Sequence, residues 1–455
     1  MRSMLLSAAA LLALAAPALA QDQAVPPVKE ILIHSVGIPT VEGRGKVPEL
    51  AAYYASVLKA AGYAESDLVF TPVGETGYFA ATLKGHSSAH PTLLLGHMDV
   101  VEAKASDWER DPFVPVEENG YIFGRGAEDN KYDVAMMVAT MARLKQEGFR
   151  PKEDIVLLLT GDEETAMATT KAAAQAYKHA GLVLNGDGGG GLLTEEGKPE
   201  AVFLQAGEKS YADFTVTMTD PGGHSSAPTA TNPIYRMARA LGRLDAYRFP
   251  PMQNELTRAV FEDRLKVESG EMKAAIQAFL ANPNDMAAAD LLSTRPDIIG
   301  QVRTTCIATE IAGGHAQNAL PQRVTANINC RIFPGVSVDQ VRESLSQALA
   351  EPQMTLAVDG EPMASDASPL RPDVVRAMRD AVARRFPGVQ VVPVMSAGAT
   401  DSLYFRALGI PSYGVSSLMM RNSDSFAHGL NERVTTAHID SSLTYWHDLV
   451  TALTR

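Results

Sequence analysis

A histidine and an aspartate two residues apart follow an apolar run in Thr92-Leu93-Leu94-Leu95-Gly96-His97-Met98-Asp99. Thr92 to Leu95 has the length and composition of a buried strand, and the carboxyl ends of such strands are where α/β sheets keep their chemistry. A neutral imidazole gives one nitrogen to a metal and its other N–H to a carboxylate, which fixes tautomer and ring direction. Asp99 offers that carboxylate to His97. Alone, a His-x-Asp pair reads first as a polar couple in a surface turn. Acidic groups further along the chain change that balance.

At 455 residues the chain is too long for one ordinary core, so two domains are expected. Its net charge of −13, with no run of Lys and Arg, speaks against nucleic acid or anionic lipid as a partner. Residues 1–20 have the pattern of a secretory signal peptide: Arg2, an apolar stretch from Met4 to Ala16, and Ala18-Leu19-Ala20 before Gln21. That stretch is short for a bilayer span, and no later segment is apolar enough for one. The expectation is a periplasmic or secreted protein without membrane insertion after signal cleavage. If the segments holding Cys306 and Cys330, the two cysteines, form a hairpin, its midpoint near residue 318 sets them opposite one another. An oxidising compartment permits a disulfide there, although adjacent strands suit the bond poorly and two buried thiols are the alternative.

Periodicity predicts a helix over Val47 to Ala61 and strands at Leu68 to Thr71, Tyr78 to Leu83 and Thr92 to Leu95. A long helix from Asn130 to Glu147 follows, then a strand from Asp154 to Thr160, an Ala-rich helix to His179, and a strand from Leu182 to Leu184 ending in a glycine turn. Alternating strands and helices imply an α/β fold with a mostly parallel, covered sheet. From Tyr211 the order becomes β-α-β-β-α-β, an inserted α+β lid. The expected division is a catalytic part over 21–209, a lid over 210–363 carrying a helical insertion at 249–300, and a second catalytic part over 364–455.

Two divalent metals close together need a carboxylate to bridge them and separate ligands for each. Asp129 stands at a tight glycine-rich turn before a helix, where an N-cap is the plainer role. Glu163 and Glu164 follow a strand end, where both can face one cavity; as plain acids they complement a helix dipole. Asp187 lies in Asn185-Gly186-Asp187, and His428 in Ala427-His428-Gly429, a loop where a solvated histidine is the default.

Taken together, Gly96-His97-Met98-Asp99, Gly124-Arg125-Gly126 with Asp129, Gly161-Asp162-Glu163-Glu164, Gly222-Gly223-His224-Ser225-Ser226 and Ala427-His428-Gly429 resemble the M20 metallopeptidases. The resemblance runs along nearly the whole mature chain and is strongest to the branch of Gly-X carboxypeptidases and N-acyl-amino-acid hydrolases. It implies two divalent cations, zinc first with cobalt or manganese as alternatives, bridged by Asp129. His97 and Asp187 would complete one site, Glu164 and His428 the other. Glu163 would be the general base, with Asp99 orienting His97 and the lid histidine His224 reaching the substrate carbonyl. Asn318, Arg331 and Gly398 match positions that bind substrate. The resemblance also implies a cis peptide at Asp129-Asn130 and a homodimer through the lid, which the insertion complicates.

The reaction so implied is hydrolysis of a small peptide or N-acyl amino acid whose amine half carries a free α-carboxylate. Deacetylation of small metabolites and aminopeptidase action are the enzymatic alternatives. A periplasmic solute-binding protein, also bilobed and exported, is the alternative from another class; it has no use for five ligand-type residues and a spare carboxylate at strand ends.

Overall fold

The computed structural model describes residues 24–455, so the leader expected over 1–20 lies outside the described residues. The chain opens with α1 (Val28–Val36) and α2 (Val47–Ala60), then β1 (Leu68–Val73), β2 (Thr76–Leu83) and β3 (Ser87–His97). Two short strands, β4 (Val116–Glu118) and β5 (Tyr121–Phe123), precede α3 (Tyr132–Gln146) and β6 (Glu153–Thr160). After α4 (Ala168–Ala176) come β7 (Leu182–Leu193) and β8 (Pro199–Glu208).

A second unit starts with β9 (Ser210–Thr219), β10 (Gly223–His224) and α5 (Pro233–Ala246). Four helices, α6 (Glu255–Arg264), α7 (Gly270–Ala281), α8 (Met286–Leu292) and α9 (Pro296–Val302), lead to β11 (Thr305–Gly313), β12 (Ala319–Leu320) and β13 (Arg323–Ile332). The unit closes with α10 (Val338–Leu349) and β14 (Thr355–Asp359). The chain then returns through α11 (Pro372–Arg385), β15 (Gln390–Ser396), α12 (Ser402–Ala407), β16 (Ser412–Arg421), β17 (Arg433–Thr435) and α13 (Ile439–Thr454).

The large sheet has eight strands in the order β1-β2-β6-β3-β7-β16-β8-β15. Its centre, β6-β3-β7-β16, is parallel, while antiparallel pairs occur towards its edges. Both faces are covered at its centre, which is why residues 93–95 of β3 and 155–159 of β6 read as continuous apolar runs. Leu94, Leu157 and Leu159 share one core with Val134, Met137 and Met141 of α3. Leu93, Leu95 and Leu158 pack on the other face with Ala173 and Ala174 of α4.

β3 begins at Ser87 rather than at the expected Thr92, and β7 departs further from its sequence reading. β7 does not stop at Leu184 but continues through the glycine run to Leu193. A Cβ on Gly189 would come within 2.6 Å of the carbonyl oxygens of Gly414 and Phe203 on the flanking strands. The glycines are there because backbone approaches backbone, with φ of +83° at Gly189 and +81° at Gly190. β8 escaped the sequence reading entirely.

The second sheet is antiparallel in the order β11-β13-β9-β14. Phe214, Val216, Ile328 and Ile332 on it pack against Met237 and Ala240 of α5 and Leu345 of α10. Cys306 and Cys330 face each other across β11 and β13 and are disulfide-bonded, with Cα atoms 4.1 Å apart. Helices α6 to α9 hold a small core of their own, including Phe261, Ile276, Phe279 and Ile298.

Candidate metal centre and active site

Strand ends of the parallel centre bring five chain segments to one place. His97 ends β3, Glu163 and Glu164 follow β6, Asp187 lies on β7, Asp129 sits in the turn before α3, and His428 is in the loop after β16. His97 Nε2 lies 2.9 Å from Asp129 Oδ1, and His428 Nε2 lies 3.2 Å from Asp129 Oδ2. The same His428 nitrogen is 2.9 Å from Glu164 Oε1. Asp129 is thus flanked by two histidines, one on each oxygen. His97, Asp129 and Glu164 place ligand atoms within 4.8 Å of one another, as do His97, Glu163 and Asp187.

The backbone that carries these groups is itself tied down. Asp99 accepts hydrogen bonds from the backbone N–H groups of Glu163 (3.1 Å) and Glu164 (3.0 Å), fixing the bend that turns both glutamates inwards. Its carboxylate is 3.6 Å from His97 Nδ1, whereas the Asp99 carbonyl oxygen is 3.0 Å away. The carbonyl, rather than the expected carboxylate, is the nearer partner of the ring. Asn130 accepts from the His97 backbone N–H at 3.4 Å and donates to the Gly186 carbonyl at 3.0 Å, strapping β3 to β7. The peptide between Asp129 and Asn130 is cis.

Glu432 and Arg125, buried and 2.6 Å apart, form a support that the sequence reading missed. The Glu432 carboxylate also accepts from the backbone N–H groups of Gly126, Glu128 and Asp129. Asp401 is a second omission: it is fully buried and accepts from Thr160 Oγ1 at 2.5 Å and from Thr170 Oγ1. Neither residue carries a local signal, since each meets its partners only after the chain has folded back.

The electrostatics are those of too many carboxylates for the cations present. Burial pushes the Glu163 carboxyl up to about 11; the His97 charge opposes this, and Asp187, Asp401 and Glu164 add to it. Burial and the Asp129 charge hold Asp187 well above the usual carboxylate range. Burial opposes ionisation of Asp129 as well, but hydrogen bonds from His428 and His97 keep it far below that range. Asp129 and then Glu164 raise His428 to about 10. Two histidines and four carboxylates form a mixed nitrogen and oxygen donor set, which suits divalent cations such as zinc, cobalt or manganese. Two such cations would offset the mutual repulsion of the acids, so the residues fit the group.

The lid residues lie apart from this cluster. His224 is exposed on β10, which pairs with β12, and its Nδ1 is 2.7 Å from Ser226 Oγ. Asn318 is next to it through the Ser225 N–H, which donates to the Asn318 carbonyl at 3.0 Å. Arg331 on β13 lies over the Tyr211 ring, 4.8 Å from its centroid. Gly398 is exposed just after β15. Among the described residues, none of these four makes a hydrogen bond or ion pair with the cluster. A cavity of about 240 Å³ does open beside it, lined by Asp129, Asp187, Gly188 to Gly191, Leu418 and Met420.

Residues 93–452 match the profile of Peptidase family M20/M25/M40. The chain belongs to that family. It is therefore a metal-dependent hydrolase of amide bonds, with the fold described above. It is similar to the mouse N-fatty-acyl-amino acid synthase/hydrolase PM20D1, 27% identical over 93% of this chain and 87% of the relative. It is also similar to a probable carboxypeptidase S-like 2 of Dictyostelium discoideum, 25% identical over 80% of this chain and 72% of the relative. Among solved structures, an M20 family metallo-carboxypeptidase from Sulfolobus solfataricus superposes with a TM-score of 0.68 at 20% identity, covering 94% of this chain and 99% of that one.

Proposed function

We propose that this M20 hydrolase is exported and cleaves small peptides or N-acyl amino acids whose amine half carries a free α-carboxylate. The observation that carries the reading is Asp129, with a histidine on each oxygen and the Glu163 carboxyl close by. In this reading Asp129, His97 and Asp187 would hold one cation, and Asp129, Glu164 and His428 the other. What such cations, zinc first with cobalt or manganese as alternatives, supply when bound is Lewis acidity and a lowered water pKa.

The chain's own residues do the rest. Glu163, whose side chain hydrogen-bonds no described residue, accepts the proton of the attacking water and returns it to the departing amine. Asp99 holds the Glu163 and Glu164 backbone at the required bend. His224 donates to the carbonyl oxygen as negative charge develops there. It does so once the lid has closed, or from the partner subunit of a lid-to-lid homodimer. Arg331 offers its planar fork to the substrate carboxylate, beside Asn318 and Gly398. The similarity to an N-fatty-acyl-amino acid synthase/hydrolase and to a probable carboxypeptidase supports both acyl-amino-acid and peptide substrates. The leader pattern in residues 1–20 and the Cys306–Cys330 bond support export.

The test is to incubate the metal-loaded protein with dipeptides, N-acyl amino acids and C-terminally amidated controls, and to identify products by mass spectrometry. Cleavage confined to free acids is the expected result. Equal cleavage of the amidated controls would redirect the assignment to an aminopeptidase, and no cleavage of any of them would remove the substrate class.

A further inference from the structure

None of residues 35–40 belongs to the metal-centre cluster, yet this stretch touches both pieces of backbone that bring His97 and Asp129 together. Lys131, two residues after Asp129, is fully buried, and its Nζ donates to the carbonyl oxygens of Ser35 at 2.9 Å and Ile38 at 2.8 Å. The Ser35 carbonyl is among the last four of α1, which have no intrahelical partner. The Lys131 backbone N–H closes the turn that holds Asp129 by donating to the Gly126 carbonyl at 3.1 Å.

The same stretch reaches the end of β3. Thr40, 1% exposed, donates through Oγ1 to the Met98 carbonyl at 2.6 Å and accepts from the Val100 N–H at 3.2 Å. Met98 stands between His97 and Asp99. Val36 adds a packing contact, since a Cβ on Gly124 would collide with its side chain. All of this lies ahead of residues 93–452, the part that matches the family profile.

A buried amine costs free energy that an apolar side chain in the same place would not. Among the described residues the Lys131 amine forms no ion pair, and both of its acceptors are backbone carbonyls of the 35–40 stretch. What the amine supplies, and a methionine could not, is a two-pronged tie from the Asp129 turn onto that stretch. We infer that residues 35–40 form a positioning bracket for the metal centre: Lys131 and Thr40, neither of them a ligand, fix the spacing of His97 and Asp129 by fastening both backbones to one short length of chain. The inference rests on the reading that His97 and Asp129 hold a cation between them.

Zinc affinity of the full-length protein, measured at fixed pH by competition with a chromogenic chelator, is the test, with the visible spectrum of the cobalt-loaded protein beside it. Lys131→Met and Thr40→Val should each weaken zinc binding about tenfold to a hundredfold, the usual effect of losing a group that orients a ligand. Both should shift the cobalt bands, which follow ligand geometry. Thr40→Ser keeps the hydroxyl and should bind zinc as the wild type does, so the two Thr40 variants decide even where Lys131→Met does not fold. The double variant Lys131→Met/Thr40→Val should lose less than the product of the single losses, because a bracket open at one end no longer holds the other. Wild-type zinc affinity and cobalt bands in Thr40→Val would overturn the inference, as would losses that simply multiply. His97→Ala tells that failure from failure of the ligand reading: it should lose one cation outright, and undiminished binding there would remove the ligand assignment and the bracket with it.

Discussion

Replacing Glu163 by alanine removes a carboxyl group that hydrogen-bonds no described residue and lies beside His97 and Asp187, so little of the surrounding structure depends on it. Turnover in Glu163→Ala should fall by on the order of 10² or more, the usual worth of a positioned proton acceptor. Metal content, read by plasma mass spectrometry, should stay at the wild-type level. Glu432 behaves oppositely. Glu432→Gln leaves the Arg125 guanidinium buried without its counter-charge and weakens the acceptor for three backbone N–H groups around Asp129. The cost should be roughly 3–5 kcal/mol, the range for breaking a buried pair from one side. Urea denaturation checks it, and an unchanged midpoint would mean water replaces the lost contact. His97 and Asp129 were legible in the sequence because a strand end and a glycine turn mark them locally. Glu432 was not, since Arg125 stands 307 positions earlier in the chain.

Elements were legible wherever hydrophobic period and burial agree. Residues 93–95 of β3 and 155–159 of β6 are covered on both faces and read as uninterrupted apolar runs, whereas the polar, exposed start of β3 carried no such signal, and α10 carries its Ser337 and Gln340 capping box in plain view. β7 hid its second half because glycine is both a turn former and the residue that lets strands approach closely, and only the neighbours at Gly414 and Phe203 decide between them. Where β8 passes into β9, burial, with the Arg331 charge adding, brings the Lys209 amine down to about 7. The unfolded chain holds that proton up to the ordinary lysine value of 10.5, so between these limits the unfolded state binds more protons and stability rises with pH. Lys209→Met should lose this contribution. The stability difference between variant and wild type should therefore change between about pH 7 and 10 with a slope of at most about 1.4 kcal/mol per pH unit, and stay flat below about pH 7. Denaturation midpoints across that range measure it, and a pH-independent difference would place Lys209 in water.

At the scale of the molecule, the chain leaves the large sheet after Glu208 and returns before α11, so the lid is tied to the metal half by two neighbouring crossings. They touch: the Ser365 backbone N–H donates to Ser210 Oγ at 3.3 Å. The insertion rests on the same place, since Leu256 of α6 belongs to the core of the large sheet and a Cβ on Gly207 would come within 2.9 Å of it. His224, Asn318 and Arg331 all lie in the unit tied on there, and among the described residues none of them makes a hydrogen bond or ion pair with the cluster. In the function proposed above, binding energy from a remote carboxylate would serve to bring the lid onto the scissile bond. If Arg331 is that grip, Arg331→Met should lower kcat/KM for free-acid substrates about tenfold to a hundredfold, equivalent to about 1.4–2.7 kcal/mol of transition-state binding. C-terminal amides, which never had the charge to offer, should lose far less. The ratio of the two losses is the quantity to measure, because it cancels any general damage to the lid. A ratio near one would assign the carboxylate to some other cation and leave Arg331 a partner of the Tyr211 ring alone.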